Sequence, residues 1–308
     1  QMEQCVSSRW FTPAYFKTLE NSFAIFDYSL EHISFLQKNG LSLQQIYYAP
    51  ISSNLSLLGS TKDVAGQDID VLFYGDIQCE RRKIAIEKLK LKCNVKVVNN
   101  LFGDEMHQEI SRAKVVVNIH YYEGALLETA RIYECLSLNK VIVSESSVDI
   151  DKHNELLGIV DFVEVGDFDA LCDKVVFWLD NDDRRSEKAK ENNSKLQKLP
   201  RWFEFYFFRF LLANDAISFE QFYNLAGDNI TFTNDFLCLS LPESVERQAG
   251  FSKDNHYGIQ IVPGLRHKLG WVGCGLSYKF IMFKAEEHNF SQITVCEDDV
   301  EFYENTFA

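Results

Sequence analysis

The chain has little basic charge. Its 31 Lys and Arg stand against 45 Asp and Glu, a net charge of -14. That balance argues against a nucleic-acid partner bound along its phosphate backbone, while a local basic site stays compatible. The eight cysteines are scattered, with no CxxC and no cysteine/histidine cluster. They read as reduced core thiols of a cytosolic protein rather than a disulfide framework. No apolar run reaches the length of a membrane span, and the first residues lack the charged-then-apolar pattern of a signal peptide. Internal repeats and low-complexity tracts are missing as well. What remains is a globular composition, 46% hydrophobic and 25% charged, with room in 308 residues for two domains. The opening QMEQ reads as the interior of a motif, and the chain stops just past an acidic cluster. Both ends are therefore expected to be cut from a longer protein.

The most informative stretch is 114–145, KVVVNIHYYEGALLETARIYECLSLNKVIVSE. Residues 114–120 form an apolar run of the kind a parallel strand buried on both faces requires. A short loop, 121–124, leads to helical spacing over 126–138 and a second buried strand at 141–144. In an open parallel sheet, ligands bind outside the carboxyl ends of the strands, against helix N-termini. His120, Tyr122 and Glu123 fall there, and Leu127, Arg131, Glu134 and Leu138 are expected to share one helix face.

Around this stretch the pattern is doubly wound. Strands are predicted at 70–74, 94–98 and 161–165, with a helix at 104–113 between them and another at 168–179 after the last. Residues 1–54 read as the remnant of an N-terminal α/β domain, 52–66 as a hinge, 66–200 as a Rossmann-like domain, and 201–228 as a helical linker. Helix 202–213, rich in phenylalanine, fits an inter-domain core, with peripheral membrane association as the alternative. From 229 the α/β pattern restarts with FLCLSL, a glycine-rich helix start at 270–277, and a buried strand at 293–296 that ends in Glu297-Asp298-Asp299.

Three constellations could carry chemistry. Gly75 ends a strand, and Arg81 and Arg82 follow it, so their guanidinium forks could hold a diphosphate; a solvated helix face explains the same residues. His120, Glu123, Arg131 and Glu134 could bind ribose, sugar or phosphate oxygens, or form a buried Arg131–Glu134 pair beside a capped histidine. Glu297, Asp298 and Asp299 suit Mg²⁺ or Mn²⁺ bridging to a nucleotide diphosphate, or an acidic turn.

The stretches SSRWFTPAYF, FDYSLEHISFL, VLFYGD with ERRKIAI, and AKVVVNIHYYEGALLETARIYECLSLNKVIVSE make residues 1–225 resemble the C-terminal part of group 1 glycosyltransferases, enzymes with two Rossmann-like domains (GT-B). The resemblance implies a metal-free nucleotide-sugar site, with Arg131 and Glu134 as donor contacts. Relatives carry two glutamates in the helix region, and the position eight before Glu134 is Leu126 here; Glu123 or Glu128 stands as the substitute. Residues from 232 resemble the start of glycosyltransferase family 25, through FLCLSLPESVERQAGF, GWVGCGLSYKFIMFKAEE and ITVCEDDVEF. That resemblance implies a GT-A-like partial domain, with Mn²⁺ or Mg²⁺ on Glu297 and Asp299 and the nucleotide near Arg247 and Ser277. Tyr278 stands where relatives have histidine. Together they imply a glycosyltransferase fragment of surface-polysaccharide or lipopolysaccharide synthesis. Its partners would be a nucleotide sugar and a glycan or glycoconjugate acceptor, in the cytoplasm or at the inner membrane surface. A non-catalytic nucleotide-sugar-binding or scaffold module is the alternative.

Overall fold

The computed structural model describes residues 11–54, 57 and 66–302. The opening QMEQ, the start of SSRWFTPAYF and most of the expected hinge lie outside them. The chain forms two compact units: residues 51–199, and residues 11–50 together with 200–302.

In chain order, α1 (Pro13–Glu20) starts at Thr12, whose side chain accepts from the Tyr15 amide. Then come β1 (Ile25–Asp27), α2 (Leu30–Lys38) capped by Ser29, and β2 (Ile46–Tyr48). These belong to the second unit.

The first unit is a sheet with helices on both faces. It comprises β3 (Ile69–Tyr74), α3 (Glu80–Lys90), β4 (Val95–Val98), α4 (Gly103–Arg112), β5 (Ala113–Asn118), α5 (Thr129–Ser137), β6 (Val141–Glu145), β7 (Asp161–Val163), α6 (Phe168–Asp180) and α7 (Asp182–Leu196). The strands are all parallel, in the order β4-β3-β5-β6-β7. Alternation along the strands divides the core. Leu72, Val116 and Ile142 pack with Met106, Ile110, Ile132 and Leu136 from α4 and α5. Val71, Phe73, Val115, Val117 and Val143 pack with Ala85, Leu89, Leu171 and Val175 from α3 and α6. Strands apolar on both sides are what a buried parallel sheet demands. The strand order reverses between β3 and β5, and the carboxyl ends at such a switch point open a crevice.

The second unit continues with α8 (Trp202–Ala213), α9 (Phe219–Ala226), β8 (Phe236–Ser240), α10 (Val245–Asp254), β9 (Gln260–Pro263), α11 (Gly270–Glu287) and β10 (Thr294–Glu297). Its three-stranded sheet is also parallel, ordered β10-β8-β9, and switches between β8 and β10. β1 and β2 form a separate parallel pair.

Three expectations change here. Residues 11–50 and the chain after 229 are not separate bodies but parts of one unit. A charge cluster of long sequence separation joins them: the fully buried Glu243 carboxylate accepts from the Tyr48 amide at 2.9 Å and pairs with the fully buried Arg209. Arg266 lies 3.4 Å from Glu243 and donates to Leu43 O at 2.7 Å. Leaving such a buried charge without its partner costs ~3–5 kcal/mol, so the cluster ties these segments firmly. Second, α8 is not a linker. Phe205, Tyr206 and Leu212 lie in the core of the second unit with Phe222 and Phe280, and Arg209, which breaks the apolar run, is the partner of Glu243. Third, β10 is an edge strand that stays partly exposed, because only β8 pairs with it.

No helix among the described residues is long and apolar enough to cross a membrane. The described cysteines are all free; Cys135, Cys172 and Cys238 are buried, and Cys274 is exposed.

Candidate functional sites

At the switch point of the first unit, β3 runs out into Gly75. Its φ is +133°, a region in which a side chain is strained, and a Cβ would stand 3.2 Å from Arg131 Nη2 and 3.6 Å from Arg82 Nη1. Glycine thus lets two guanidinium groups close over the strand end.

Both are partnered from within. Arg82 is buried and donates to Ile119 O at 2.8 Å, Asp76 O at 2.8 Å and Glu128 Oε1 at 3.0 Å. Arg131 pairs with Glu128 and donates to Asn118 Oδ1 at 2.5 Å. Its guanidinium lies 5.0 Å from the Tyr74 ring centroid, a favourable cation–π distance. Glu128, at the N-terminus of α5, therefore faces two arginines. Burial alone would push its carboxyl up. The Arg131 guanidinium overrides this, helped by His120 and Arg82, and holds it at about 2.

His120 is fully buried just past β5. Its Nε2 lies 2.8 Å from Ser146 O, a contact that needs the proton on Nε2. Its Nδ1 is 3.8 Å from Glu128 Oε1.

Arg81 departs from the expected role of an open diphosphate fork. It makes a two-pronged pair with the buried Glu145, at 2.7 and 2.8 Å, and also donates to His120 O at 2.7 Å. Glu145 accepts as well from the amides of His120 and Gly166, each at 2.8 Å. This carboxylate thus fastens together the ends of β5, β6 and the turn that leads to α6. Glu123 sits on the exposed loop after β5, and none of the group's described hydrogen bonds or ion pairs includes it.

Glu134 lies on the second turn of α5, 30% exposed. Its partner is not Arg131: Tyr74 Oη donates to Oε2 at 2.8 Å, and His107 Nε2 lies 3.2 Å from Oε1. The expected shared face is also cut short. α5 starts at Thr129, so Leu127 precedes it, because Asp149 takes the Leu127 amide at 3.0 Å. Asp149 in turn accepts from Ser147 Oγ at 2.7 Å and faces His153 Nε2 at 3.2 Å. Glu128, Glu145, Asp149, Tyr74 and His107 were not singled out as certain members from the sequence. Glu145 did leave a signal, an acid closing the apolar run VIVS at a strand's carboxyl end.

The second unit has a cavity of about 160 Å³ at its own switch point, lined among others by Ser240, Arg247, Cys274, Ser277, Glu297 and Asp298. Three expected residues, Arg247, Ser277 and Glu297, thus meet at one place. Gly273 lets α11 approach closely, since a Cβ there would stand 3.0 Å from His267 N. Ser277 is turned inward: Oγ donates to Gly273 O at 2.8 Å and accepts from the Leu265 amide at 2.8 Å. It shapes the wall and anchors the helix. Asp298 is buried, accepts from Ser240 Oγ at 2.8 Å, and pairs with Arg247 at 2.5 Å. Asp299 is exposed and lies 3.3 Å from Arg247. Among the described residues no three His, Cys, Asp or Glu side chains converge as a metal ligand set.

One family comparison bears on the first unit. Residues 57–202 match a family described as glycosyl transferase-like. The match covers most of the first unit and its switch-point crevice. No curated protein matches the chain. Among solved structures the chain is similar to Anabaena HepE in complex with UDP-glucose, at 11% identity and a TM-score of 0.46, covering 64% of this chain and 66% of that one. It is similar to a sucrose-phosphate synthase from Thermosynechococcus elongatus at 14% identity and a TM-score of 0.44, covering 62% and 59%. TarM follows at 12% and 0.43, covering 70% and 46%. The chain spans less than two thirds of the length of each of these proteins.

Proposed function

We propose that the chain is part of a glycosyltransferase whose first unit binds a nucleotide-sugar donor at the crevice between β3 and β5, for transfer to a glycan or glycoconjugate acceptor. The observation that carries the reading is the meeting of Gly75, Arg82, His120, Glu128 and Arg131 at that switch point. Two guanidinium groups held in fixed positions at the strand ends are suited to stabilise a leaving diphosphate without reorganisation. Arg81 acts here as a positioning residue for the strand ends. Glu134, the more exposed carboxylate, faces the donor's hydroxyl groups.

Calorimetry with UDP-, GDP- and ADP-linked sugars tests this. The wild type is expected to bind one class, and Glu134→Ala to bind it about tenfold or more weakly. Equal affinity in the variant removes Glu134 from the site. Binding of no donor favours the scaffold reading, which the internal pairing of Arg81 and Arg82 makes a real competitor.

The reading extends to the second unit as a family 25-like, GT-A-like partial domain of surface-polysaccharide synthesis. The cavity that joins Arg247, Ser277 and Glu297 supports it. A Mn²⁺ or Mg²⁺ ion would be held by Glu297 and Asp299, and would supply charge neutralisation for a diphosphate. Asp299→Ala is expected to weaken Mn²⁺ binding about tenfold; unchanged Mn²⁺ affinity sinks the metal assignment.

A further inference from the structure

The start of α5 is fixed from outside the helix, by the loop that follows β6. Leu126 and Leu127 continue the helical spacing backwards, yet α5 begins only at Thr129. The Asp149 carboxylate stops it there, because Oδ1 accepts the Leu127 amide at 3.0 Å. Asp149 is buried and also accepts from Ser147 Oγ at 2.7 Å. Its other oxygen lies 3.2 Å from His153 Nε2. Across the ring, His153 Nδ1 stands 3.7 Å from Glu155 Oε1, which accepts from the Tyr133 hydroxyl of α5 at 3.1 Å. One imidazole thus sits between two carboxylates, and the group holds α5 at its start and again on its second turn. A carboxylate only accepts, so both ring nitrogens need a proton to serve the two. Burial disfavours that charge, yet the hydrogen bonds to Asp149 and Glu155 outweigh it and raise the imidazole to about 9.

We propose that His153 and Asp149 are positioning residues for the crevice: they stop α5 at Thr129 and so hold Glu128 where Arg82 and Arg131 meet it. This rests on the donor-binding reading of the crevice. Without the tie, the freed Leu127 amide lets α5 grow back over Leu126 and Leu127. Glu128, whose backbone ψ of 62° is not helical, then has to take up helical angles. Its side chain swings off the two arginines, and their guanidinium groups lose the acceptor that fixes them. A neutral imidazole serves only one of its two carboxylates, so loss of the ring's charge loosens the same tie.

The test is the pH profile of affinity for UDP-, GDP- and ADP-linked sugars by calorimetry, on the wild type, His153→Gln and Glu155→Gln, with thermal unfolding as the check on folding. The imidazolium is complete well below pH 9 and is lost as pH rises through it. Wild-type affinity should be level near neutral pH and fall about tenfold through that step, the scale of coupling that residues behind a site carry. His153→Gln has no charge to lose. It should already bind that much more weakly at neutral pH and lack the fall. Titration of the nucleotide itself is common to all three proteins, so the difference between profiles is what counts. Glu155→Gln keeps an acceptor for Tyr133 and removes one of the two charges facing the ring, so its fall should come at a lower pH. A side chain that only fills space would leave that midpoint where it is. The proposal is overturned if His153→Gln binds like the wild type at neutral pH, if it keeps the wild-type fall, or if the Glu155→Gln midpoint does not move; in these cases donor binding itself still stands. A wild type that binds none of the donors at any pH overturns both.

Discussion

Glu128→Ala is expected to destabilise the first unit by ~3–5 kcal/mol, the cost of stripping buried cations of their counter-ion. The substitution removes the fully buried carboxylate that Arg82 and Arg131 share, with the buried His120 beside it. Urea unfolding of the unit at pH 7, with hydrogen exchange at the β3 and β5 amides, measures the loss; a change below about 1 kcal/mol would mean that solvent reaches the arginines and replaces the carboxylate. The pH dependence gives a second readout. In the folded chain the Glu128 carboxyl is held at about 2, below its ordinary 4.5. Folding thus favours the charged form, and its contribution is complete above about pH 4.5 and disappears as pH falls toward 2. The wild type should lose stability over that window, and Glu128→Ala should show a flatter acid limb there. An equally steep limb in the variant would place the titration elsewhere.

Much of the first unit was legible because its strands obey one simple constraint. Both faces of β3, β5 and β6 meet apolar helices, so VLFY, KVVVN and VIVS have to be apolar throughout, and such runs stand out in a sequence. The place of the site followed from the same constraint, since parallel strands put their carboxyl ends on one side. The identity of the partners did not follow. Arg81 and Arg82 are adjacent and chemically equal, yet one reaches Glu145 and the other Glu128, 64 and 46 residues away. No periodicity encodes such pairings. The start of α5 was missed for a related reason. Leu126 and Leu127 satisfy helical spacing, but the Asp149 carboxylate, 22 residues later, holds the Leu127 amide outside the helix. The second unit was hardest, because residues 51–199 separate its two pieces of chain, which meet through Glu243, whose contact with Tyr48 spans 195 positions. A buried acid just after the proline that closes FLCLSL carries no local mark of what it will bind.

Glu145→Ala is the second large effect expected, and it separates the two roles open to Arg81. If Arg81 were a phosphate ligand waiting for a donor, Glu145 would be a dispensable neighbour. The structure gives Glu145 four donors, two from the Arg81 fork and one each from the amides of His120 and Gly166. Its removal leaves a cation and two backbone N–H groups without their acceptor, and ~3–5 kcal/mol is the expected loss. Arg81→Ala should cost less, because the two amides still satisfy the carboxylate in part. The double variant should cost clearly less than the sum of the singles, since each single already breaks the fork. Additive losses would show that the two side chains do not act as a pair. Donor affinity should fall in parallel in both single variants, because the loops after β5 and β6 lose their common anchor. A variant Arg81→Ala that keeps wild-type stability and loses only diphosphate affinity would reverse the assignment and return Arg81 to the ligand's side of the crevice.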